Sequence, residues 1–527
     1  MKRNSFLQAI ALCMVIAFAS CSKKQSEYTN SIPADAPFVL SIDAQSLATK
    51  AELNSAENQP MMQRFTEMLT KDITPENRQK VEAFFSDPAS TGIDFRSPLY
   101  LFYQPDTLDY IAIVAKVNNE TDLASTFQTL QTEQAATTLA TAEGYRYCTI
   151  GGNLFTAFNA TTLIALSYVD QTGDAQQLAA SLLRQEADKS FAQTPSFQHM
   201  QQETGDIRFM LTQKLIADLQ TKTNALTSGN ALPPILTTDG LQGIGNIAFE
   251  AGKIECSYKW TADNDKAQAT LDEAIGYTRP VSNRFLGCFP QSTLFYTNVG
   301  INGSKLYDYI QQMPDLQRFG KVQEADFQAI MNTLKPAFES LEGDITMGFT
   351  GVVMGAIPTF IAYAEVKDNT ILDLINANKQ KLEQQNGVRI DKINDTEYAL
   401  SIYGLGIYYG IRDNFFYTTN DNALYANLGK PATPSITENE YADLLKNSYA
   451  AMLIDIESVL QLPAVRNLAN MSGAETALAI SLCDQYVDYM ATTASDAQSS
   501  YGVLQLKDHE SNALKQLVSL AKNAIGM

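Results

Sequence analysis

Carboxylates are the residues of this sequence with the widest scope for chemistry. Asp and Glu total 58, and a glycoside hydrolase needs only two carboxyl groups at the right separation. Asp43, at the end of the first apolar strand, and Asp455 and Glu457, in LIDIES, are the candidates for such a site. A structural interpretation competes with this one and is favoured. It predicts that Asp43 caps the next helix and that Asp455 and Glu457 share the exposed face of an alternating strand.

Histidine chemistry is restricted because the chain contains two histidines, His199 and His509. Neither has another histidine near it in sequence, so a zinc site built on histidine pairs is not expected. A Ser-His-Asp relay would have to use one of these two residues. The sequence also has no GxSxG, HExxH or phosphate-loop motif. We therefore predict a non-enzymatic protein with no catalytic residue, no metal and no cofactor. A carboxylate-based hydrolase acting on glycan or peptide is the alternative.

Tyrosines offer a second kind of site. The segment YGLGIYYGIRDNFFYTTND contains Tyr403, Tyr408, Tyr409 and Tyr417 within one predicted hairpin. Alternation along a strand puts Tyr408 and Tyr409 on opposite faces, which leaves one of them free to face solvent. Exposed tyrosines bind sugar and peptide faces through an apolar ring and a polar tip. These four residues are therefore candidate ligand-binding residues, although core packing and cross-strand pairing explain the same pattern and are favoured.

The N-terminus carries the pattern of an export and anchoring signal. Lys2 and Arg3 precede an apolar segment of residues 6–20, which is too short to span a bilayer and suits a signal peptide. The sequence FASC, which ends at Cys21, looks like the lipobox of bacterial lipoproteins. We predict a signal peptide over residues 1–20, and a lipidated Cys21 followed by a polar tether over residues 21–31. An ordinary signal peptide with a chance cysteine is the alternative.

Charge and cysteine usage restrict the partners. The formal net charge is 38 − 58 = −20, which makes nucleic acid and anionic lipid surfaces poor partners. The expected partners are the membrane, reached through the lipid anchor, and a protein or glycan of the envelope. The four further cysteines have a spacing that matches no metal motif, so buried free thiols on strands are favoured over disulfides; they are Cys148, Cys256, Cys288 and Cys483.

The order of sequence elements recurs along the chain with a period of about 250 residues. SIPADAPFVLSID near the start corresponds to FPQSTLFYTNVG in the second half, with Pro33 matched to Pro290 and Phe38 to Leu294. Two apolar strands, a capped helix, a hairpin and a final strand pair with a helix follow in both halves. We predict two tandem repeats, at residues 32–278 and 284–527, joined within GYTRPVSN.

Each repeat mixes helices with strands. Residues 246–250 and 253–260 alternate around Ala251-Gly252, which indicates a hairpin, and a second hairpin is predicted at residues 155–166. Local hairpins imply antiparallel sheets. The predicted fold class is therefore α+β, with two tandem copies of a domain in which helices pack on one face of an antiparallel sheet. Helices are expected between such hairpins, for example after the capping residue Asn119.

The opening IPADAPFVLSIDAQSLATKAEL, with Pro33 to Asp43 as its most specific part, resembles a family of uncharacterised Bacteroidetes lipoproteins that carry a domain of unknown function. That resemblance implies an α+β architecture and a cell-envelope location. It supplies no catalytic residue. We therefore predict a lipid-anchored protein of the bacterial outer membrane, facing the periplasm or the cell surface, with a scaffold or ligand-binding role. A carrier of an apolar ligand is a further alternative.

Overall fold

The structure is a computed structural model. It describes residues 27–71, 73–105, 109–168, 174–216, 218, 238–311, 324–353, 357–384, 387–403, 405–471 and 473–524.

The N-terminal predictions lie mostly outside the described residues. This applies to the signal peptide of residues 1–20, to Cys21 and to the tether as far as residue 26. The end of the predicted tether is wrong, because Glu27–Ser31 forms a 3₁₀ helix. The Tyr28 ring is 3% exposed and packs among core residues, so an aromatic anchor ends the polar segment earlier than its composition suggested.

Sixteen α-helices have bounds within the described residues. In chain order they are α1 Ala44–Lys50, α2 Gln59–Thr70, α3 Pro75–Ser86, α4 Glu120–Thr132, α5 Ala175–Leu183, α6 Pro195–Gln202, α7 Asp265–Ile275, α8 Gly303–Gln311, α9 Glu324–Ser340, α10 Thr370–Ala377, α11 Lys379–Glu383, α12 Asn422–Ala426, α13 Ile456–Leu460, α14 Pro463–Met471, α15 Ala474–Tyr486 and α16 Ala513–Ala524.

Twenty strands occur in the same described ranges. They are β1 Phe38–Ile42, β2 Leu99–Gln104, β3 Tyr110–Lys116, β4 Ala140–Ala142, β5 Tyr145–Ile150, β6 Leu154–Phe158, β7 Thr162–Tyr168, β8 Ile207–Thr212, β9 Leu241–Glu250, β10 Lys253–Ala262, β11 Phe295–Asn302, β12 Leu341–Val353, β13 Ile357–Val366, β14 Val388–Lys392, β15 Glu397–Ile402, β16 Leu405–Arg412, β17 Phe415–Thr419, β18 Ala450–Asp455, β19 Val487–Ala494 and β20 Ser499–Leu506.

Two compact units divide the chain. Unit 1 contains residues 1–221, 242–256 and 509–527, and unit 2 contains residues 222–241 and 257–508. The predicted repeats at residues 32–278 and 284–527 are defined by recurrence in the sequence rather than by contacts. They therefore remain predictions. None of the described helices is both long and apolar enough to cross a membrane.

Antiparallel pairing organises the strands of unit 1. The pairings place them in the order β4-β5-β6-β7-β3-β2-β1-β8-β9. The predicted hairpin at residues 155–166 is confirmed, because β6 and β7 pair with Phe155 opposite Leu166. The helix predicted after Asn119 is confirmed too: its side chain accepts hydrogen bonds from the amides of Thr121 and Asp122, which caps α4.

Unit 2 is also built on antiparallel pairs. Its strands follow the order β14-β15-β16-β17-β13-β12-β11-β18-β19-β20. The predicted tyrosine hairpin is β16 and β17, which turn at Asp413 and Asn414, both with positive φ. The mixed helix and strand composition and the antiparallel pairing agree with the predicted α+β class.

Helices cover both faces of the sheet in unit 1, so the prediction of helices on one face is wrong for this unit. In β3 of unit 1, Ala112 and Val114 pack in a core with residues of α5 and α6. Ala115, on the opposite face, packs in a second core with Leu123 and Phe127 of α4. The run YIAIVAK is apolar at almost every position, and such continuous runs are typical of strands buried on both faces.

The last helix, α16, belongs to unit 1 although it follows the strands of unit 2 in sequence. The Gly252 amide donates to the Ser511 carbonyl at 2.8 Å, and Asn512 Nδ2 donates to the Phe249 carbonyl at 2.7 Å. Lys515 of the helix also forms an ion pair with Glu52 at 2.9 Å. These contacts attach the chain's C-terminal segment to residues that precede it by more than 250 positions.

Candidate functional site

The candidate carboxylates have structural roles in the fold. Asp43 accepts a hydrogen bond from the Ser46 amide and caps α1, as the favoured interpretation predicted. The prediction that Asp455 and Glu457 share a strand face is wrong, because β18 ends at Asp455, which caps α13. Glu457 lies in the first turn of α13 and pairs with Lys507 at 2.7 Å. Helix caps and ion pairs therefore account for all three residues.

The four candidate tyrosines differ in exposure. Tyr403 is 83% exposed and lies between β15 and β16 with a φ of +49°. Tyr408 is half-buried and stacks on Tyr425, with the ring centroids 4.0 Å apart. Tyr409 is 5% exposed and Tyr417 is fully buried. The structure therefore does not bring the four rings together on one surface, and Tyr403 is the one of the four that a ligand in solvent can reach freely.

Both histidines are exposed. His199 lies on α6, and His509 lies ahead of α16 with its backbone close to Gly252.

The four cysteines of the described residues are free thiols in different environments. Cys148, on β5, is 2% exposed, and burial raises its pKa to about 12. Cys288 is buried in a 3₁₀ helix and Cys256 is half-buried on β10. The prediction of buried thiols on strands is confirmed for Cys148. It is wrong for Cys288, which is not on a strand, and for Cys483, which lies exposed on helix α15.

We expect maleimide to alkylate one of these thiols much faster than the rest. The thiolate is the reactive form, so a buried thiol with a raised pKa reacts slowly. Cys483 should label first in the native protein, and Cys148 should label only after denaturation. Peptide mapping after timed labelling measures both rates. The variant Cys483→Ser is the control and should lose the fast phase, whereas rapid labelling of Cys148 would contradict the described packing.

An apolar cavity lies between helix α4 and the sheet of unit 1. Its volume is about 70 Å³. Its lining is almost entirely apolar and is formed by Thr91, Ile93, Phe95, Leu99, Ile113, Ala115, Leu123, Thr126, Phe127, Leu130, Ile150, Leu154, Thr156, Leu163 and Ala165. Water is a poor occupant of a cavity with so few polar partners.

The threonine hydroxyls of this cavity differ in their hydrogen bonding. Thr91 Oγ1 donates to the Pro88 carbonyl at 2.6 Å, and Thr126 Oγ1 donates to the Thr91 carbonyl at 3.1 Å. Thr156 is 2% exposed, and its hydroxyl has no hydrogen-bond partner within the described part of the protein. An unpaired buried hydroxyl costs about 1–3 kcal/mol. Thr156 therefore contributes an unpaired hydroxyl group to the residues that line the cavity.

A polar pocket adjoins the apolar cavity. Its volume is about 450 Å³, and it shares Ile93 and Phe95 with the cavity wall. Its other lining residues include Asp87, Arg96 and Asn118. The two spaces together offer an apolar compartment beside a polar one, which is the arrangement that an amphipathic ligand requires.

Asp94 fixes the cationic side of the polar pocket. The residue is 5% exposed, and its carboxylate accepts from Arg96 Nε at 2.9 Å and pairs with Lys116 Nζ at 3.0 Å. Burial raises the pKa of this carboxyl, but the hydrogen bonds and charges of Lys116 and Arg96 outweigh burial and hold the pKa below its usual value. Asp94 therefore remains ionised and keeps Arg96 at the pocket wall.

The substitution Asp94→Asn should destabilise unit 1 near neutral pH by about 2 kcal/mol, because hydrogen bonds to charged groups contribute about 1.5–3 kcal/mol. A carboxyl with a depressed folded-state pKa stabilises above its unfolded pKa of about 3.9, and this contribution disappears as pH falls through the folded value. The stability difference between wild type and variant should therefore shrink below about pH 4. Denaturant unfolding at several pH values measures it, and a difference independent of pH would contradict the ionised pair.

The comparisons with known proteins are sparse. No curated protein matches the chain. Among solved structures, crystal form III of TP0453 matches with 9% identity and a TM-score of 0.27, over 48% of this chain and 87% of that chain. Crystal form I of TP0453 matches with 8% identity and a TM-score of 0.25, over 48% and 88% of the two chains. Scores this low support no argument about the present protein.

The sequence profile of a domain of unknown function, DUF4836, matches residues 28–514. This range begins in the N-terminal 3₁₀ helix and ends in α16, so it includes both compact units. The match covers most of the chain, and the protein therefore belongs to the DUF4836 family.

Proposed function

We propose that this protein is a lipid-anchored binding protein of the bacterial cell envelope that holds a small amphipathic ligand in unit 1. The observation that carries this proposal is the apolar cavity beneath α4 and the polar pocket beside it, which share Ile93 and Phe95. Binding sites for small molecules are mostly apolar, with a few placed polar groups. The two spaces provide this combination within one unit.

The apolar end of the ligand lies in the cavity, where it contacts side chains such as Phe127 of α4 and Leu163 of β7. Burying apolar surface stabilises binding by about 25 cal/mol per Å². The unpaired Thr156 hydroxyl favours a ligand that carries one oxygen or nitrogen atom along this segment. The polar end then lies near Arg96 and Asn118 in the adjoining pocket.

The size of the cavity limits the ligand. An apolar cavity of about 150 Å³ binds benzene, so the 70 Å³ found here accepts a few carbon atoms without rearrangement. A longer hydrocarbon requires an outward shift of α4, whose Leu123, Phe127 and Leu130 form part of the wall. Ligands with short or branched apolar ends therefore suit the observed conformation.

A cavity-filling variant tests this proposal. Ala165→Val adds two methyl groups to the cavity wall and should lower the affinity for a short-chain fluorescent fatty acid about tenfold. Titration of the chain from residue 27 onward, without detergent, measures the affinity, and organic extraction identifies any ligand that co-purifies.

The matched control is Ala399→Val, which makes the same change at a half-buried alanine on β15 of unit 2. Its affinity should equal that of the wild type. Absence of saturable binding to the wild type, or equal effects of the two variants, would refute a ligand site beneath α4.

We also propose that Cys21 carries the lipid that anchors the mature chain to the outer membrane. The support is the sequence around this residue, a short apolar segment that ends in FASC. Two or more acyl chains hold a protein durably at a membrane, whereas one does so weakly. Metabolic labelling with palmitate should mark the wild type and leave Cys21→Ser unlabelled, and the variant should leave the membrane fraction. Equal labelling would exclude this anchor.

The fold supports a further proposal, that the chain consists of two tandem copies of one domain. The strand order from β4 to β9 in unit 1 recurs from β14 to β19 in unit 2. Isolated bridges recur too, since Pro33 pairs with Ser190 and Pro290 pairs with Ser435. The offset of 290 − 33 = 257 then matches Phe38 with Phe295, the first residues of β1 and β11, rather than with Leu294. Superposition of the two units in an experimental structure tests this proposal.

A further inference from the structure

A further pocket lies in unit 2 and shares no lining residue with the proposed amphipathic site. Its volume is about 280 Å³. Three cationic residues line it, Arg284, Arg412 and Lys430. Its apolar lining residues are buried and are Phe285, Phe415 and Leu428. The whole chain has a formal net charge of −20, so three cations around one small pocket differ sharply from the average surface.

Arg284 is held in a fixed orientation. Its guanidinium carbon lies 5.2 Å from the ring centroid of Phe285 and 5.3 Å from that of Phe415. Nη2 donates to the carbonyl of Asp413 at 2.6 Å, and Nη1 lies 3.4 Å from Glu365. The guanidinium is therefore pre-organised for ligand binding, which lowers the entropy cost of binding.

Arg412 is held in place by a buried carboxylate. Its Nε donates to Glu397 Oε1 at 2.9 Å, and its Nη2 donates to the same carboxylate. Glu397 is 6% exposed, while the Arg412 side chain is 37% exposed. A buried carboxylate therefore holds one edge of the guanidinium and leaves the rest of the group at the pocket.

Lys430 and Asp413 complete the charged lining. Lys430 is exposed and forms no ion pair within the described ranges of the chain. Asp413 is exposed at the β16–β17 turn and also lines the pocket, so it adds one negative charge to the lining. A simple oxyanion would meet the attraction of the cations and also the repulsion of Asp413. A ligand that carries hydroxyl groups beside its anionic group can donate a hydrogen bond to Asp413 instead.

We infer that this pocket, called the oxyanion pocket below, binds the carboxylate or phosphate group of a small hydroxylated ligand, as in an acidic sugar. Arg284 and Lys430 bind the anionic group, the free edge of Arg412 adds a donor, and Asp413 accepts from a hydroxyl group. The buried rings of Phe285 and Phe415 support the Arg284 guanidinium, so they position this cation for the ligand. This site is independent of the amphipathic ligand proposed for unit 1.

Calorimetric titration of the full chain in a neutral detergent tests the inference. The probes are glucuronate, inorganic phosphate and glucose. Glucuronate should bind saturably, phosphate more weakly, and glucose not at all. Lys430→Gln should weaken glucuronate binding about tenfold, since charge-assisted hydrogen bonds are the strong ones, and added salt should weaken it as well.

The matched control is Lys381→Gln in α11, which removes another exposed lysine that has no ion pair within the described residues. It changes the net charge equally and should leave binding unchanged. Equal effects of the two lysine variants, or no saturable binding of glucuronate or phosphate, would overturn the site. Phosphate binding as tight as glucuronate binding would overturn the role of Asp413 as a hydroxyl acceptor.

Discussion

Replacing Gly92 with alanine is expected to destabilise unit 1 by about 4 kcal/mol. A loss this large indicates a specific cause, which here is a steric clash. Gly92 has a φ of +88°, which costs an alanine about 1–2 kcal/mol. A Cβ atom there would also lie 2.8 Å from Leu123 Cα and clash with the Leu123 amide and the Asn119 carbonyl. All of these atoms are backbone atoms of α4 or its cap, so rotation of a side chain cannot relieve the clash.

The effect should be confined to the region that Gly92 supports. Its carbonyl accepts from the amides of Asn118 and Asn119 at 2.8 Å and 3.1 Å, so the glycine aligns the start of α4. Hydrogen–deuterium exchange should show faster exchange over α4 and over the strands beneath it. Binding of the fatty-acid probe should fall as well, because α4 forms part of the cavity wall.

Gly144→Ala is the matched control. Gly144 has a φ of +83°, but a Cβ atom at this position would meet no heavy atom within 4 Å. It should therefore show only the backbone cost of about 1–2 kcal/mol. Equal destabilisation by the two substitutions would contradict the close approach of α4 to Gly92.

The sequence predicted local elements well where the signal lay within a few residues. Asn119 with the apolar positions that follow it predicted α4, and the alternation around Ala251-Gly252 predicted the β9–β10 hairpin. The layering of the sheet was predicted less well. A strand such as β3 has apolar residues on both faces, and periodicity alone cannot say what covers each face.

The proposed sites were missed because their residues are distant in sequence. The oxyanion pocket combines Arg284 with Arg412 and Lys430, which lie more than 120 positions away. The cavity lies between α4 and strands β3, β6 and β7. Small side chains at Ala115 and Ala165 leave part of this space unfilled. Packing gaps of this kind depend on the register of several strands. The four candidate tyrosines are clustered in the sequence, but two of them, Tyr409 and Tyr417, are core residues.

Replacing Glu397 with alanine should destabilise unit 2 by about 2–3 kcal/mol, because a buried carboxylate is lost together with its charge-assisted hydrogen bonds, which contribute about 1.5–3 kcal/mol. The Glu397 carboxylate accepts from Arg412 and also from Asn394 Nδ2 at 2.7 Å. Its removal leaves both donors without their acceptor. Burial is the main cause of the raised pKa of the nearby Tyr417 hydroxyl, and the negative charge of Glu397 raises this pKa further. The more conservative Glu397→Gln retains one acceptor oxygen and should cost about 1 kcal/mol.

The surface pair of Arg389 and Asp391 provides the control for this prediction. Their closest atoms are 2.8 Å apart, about the separation found between Arg412 Nε and Glu397, but both side chains are more than half exposed. Asp391→Asn should therefore cost less than 1 kcal/mol, as is usual for exposed ion pairs. Trp260, the single tryptophan of the chain, belongs to unit 2, so its fluorescence reports denaturant unfolding of that unit. Comparable losses in the two variants would mean that burial does not set the strength of the Glu397 pair. Arg412 would then need another partner to hold it at the oxyanion pocket.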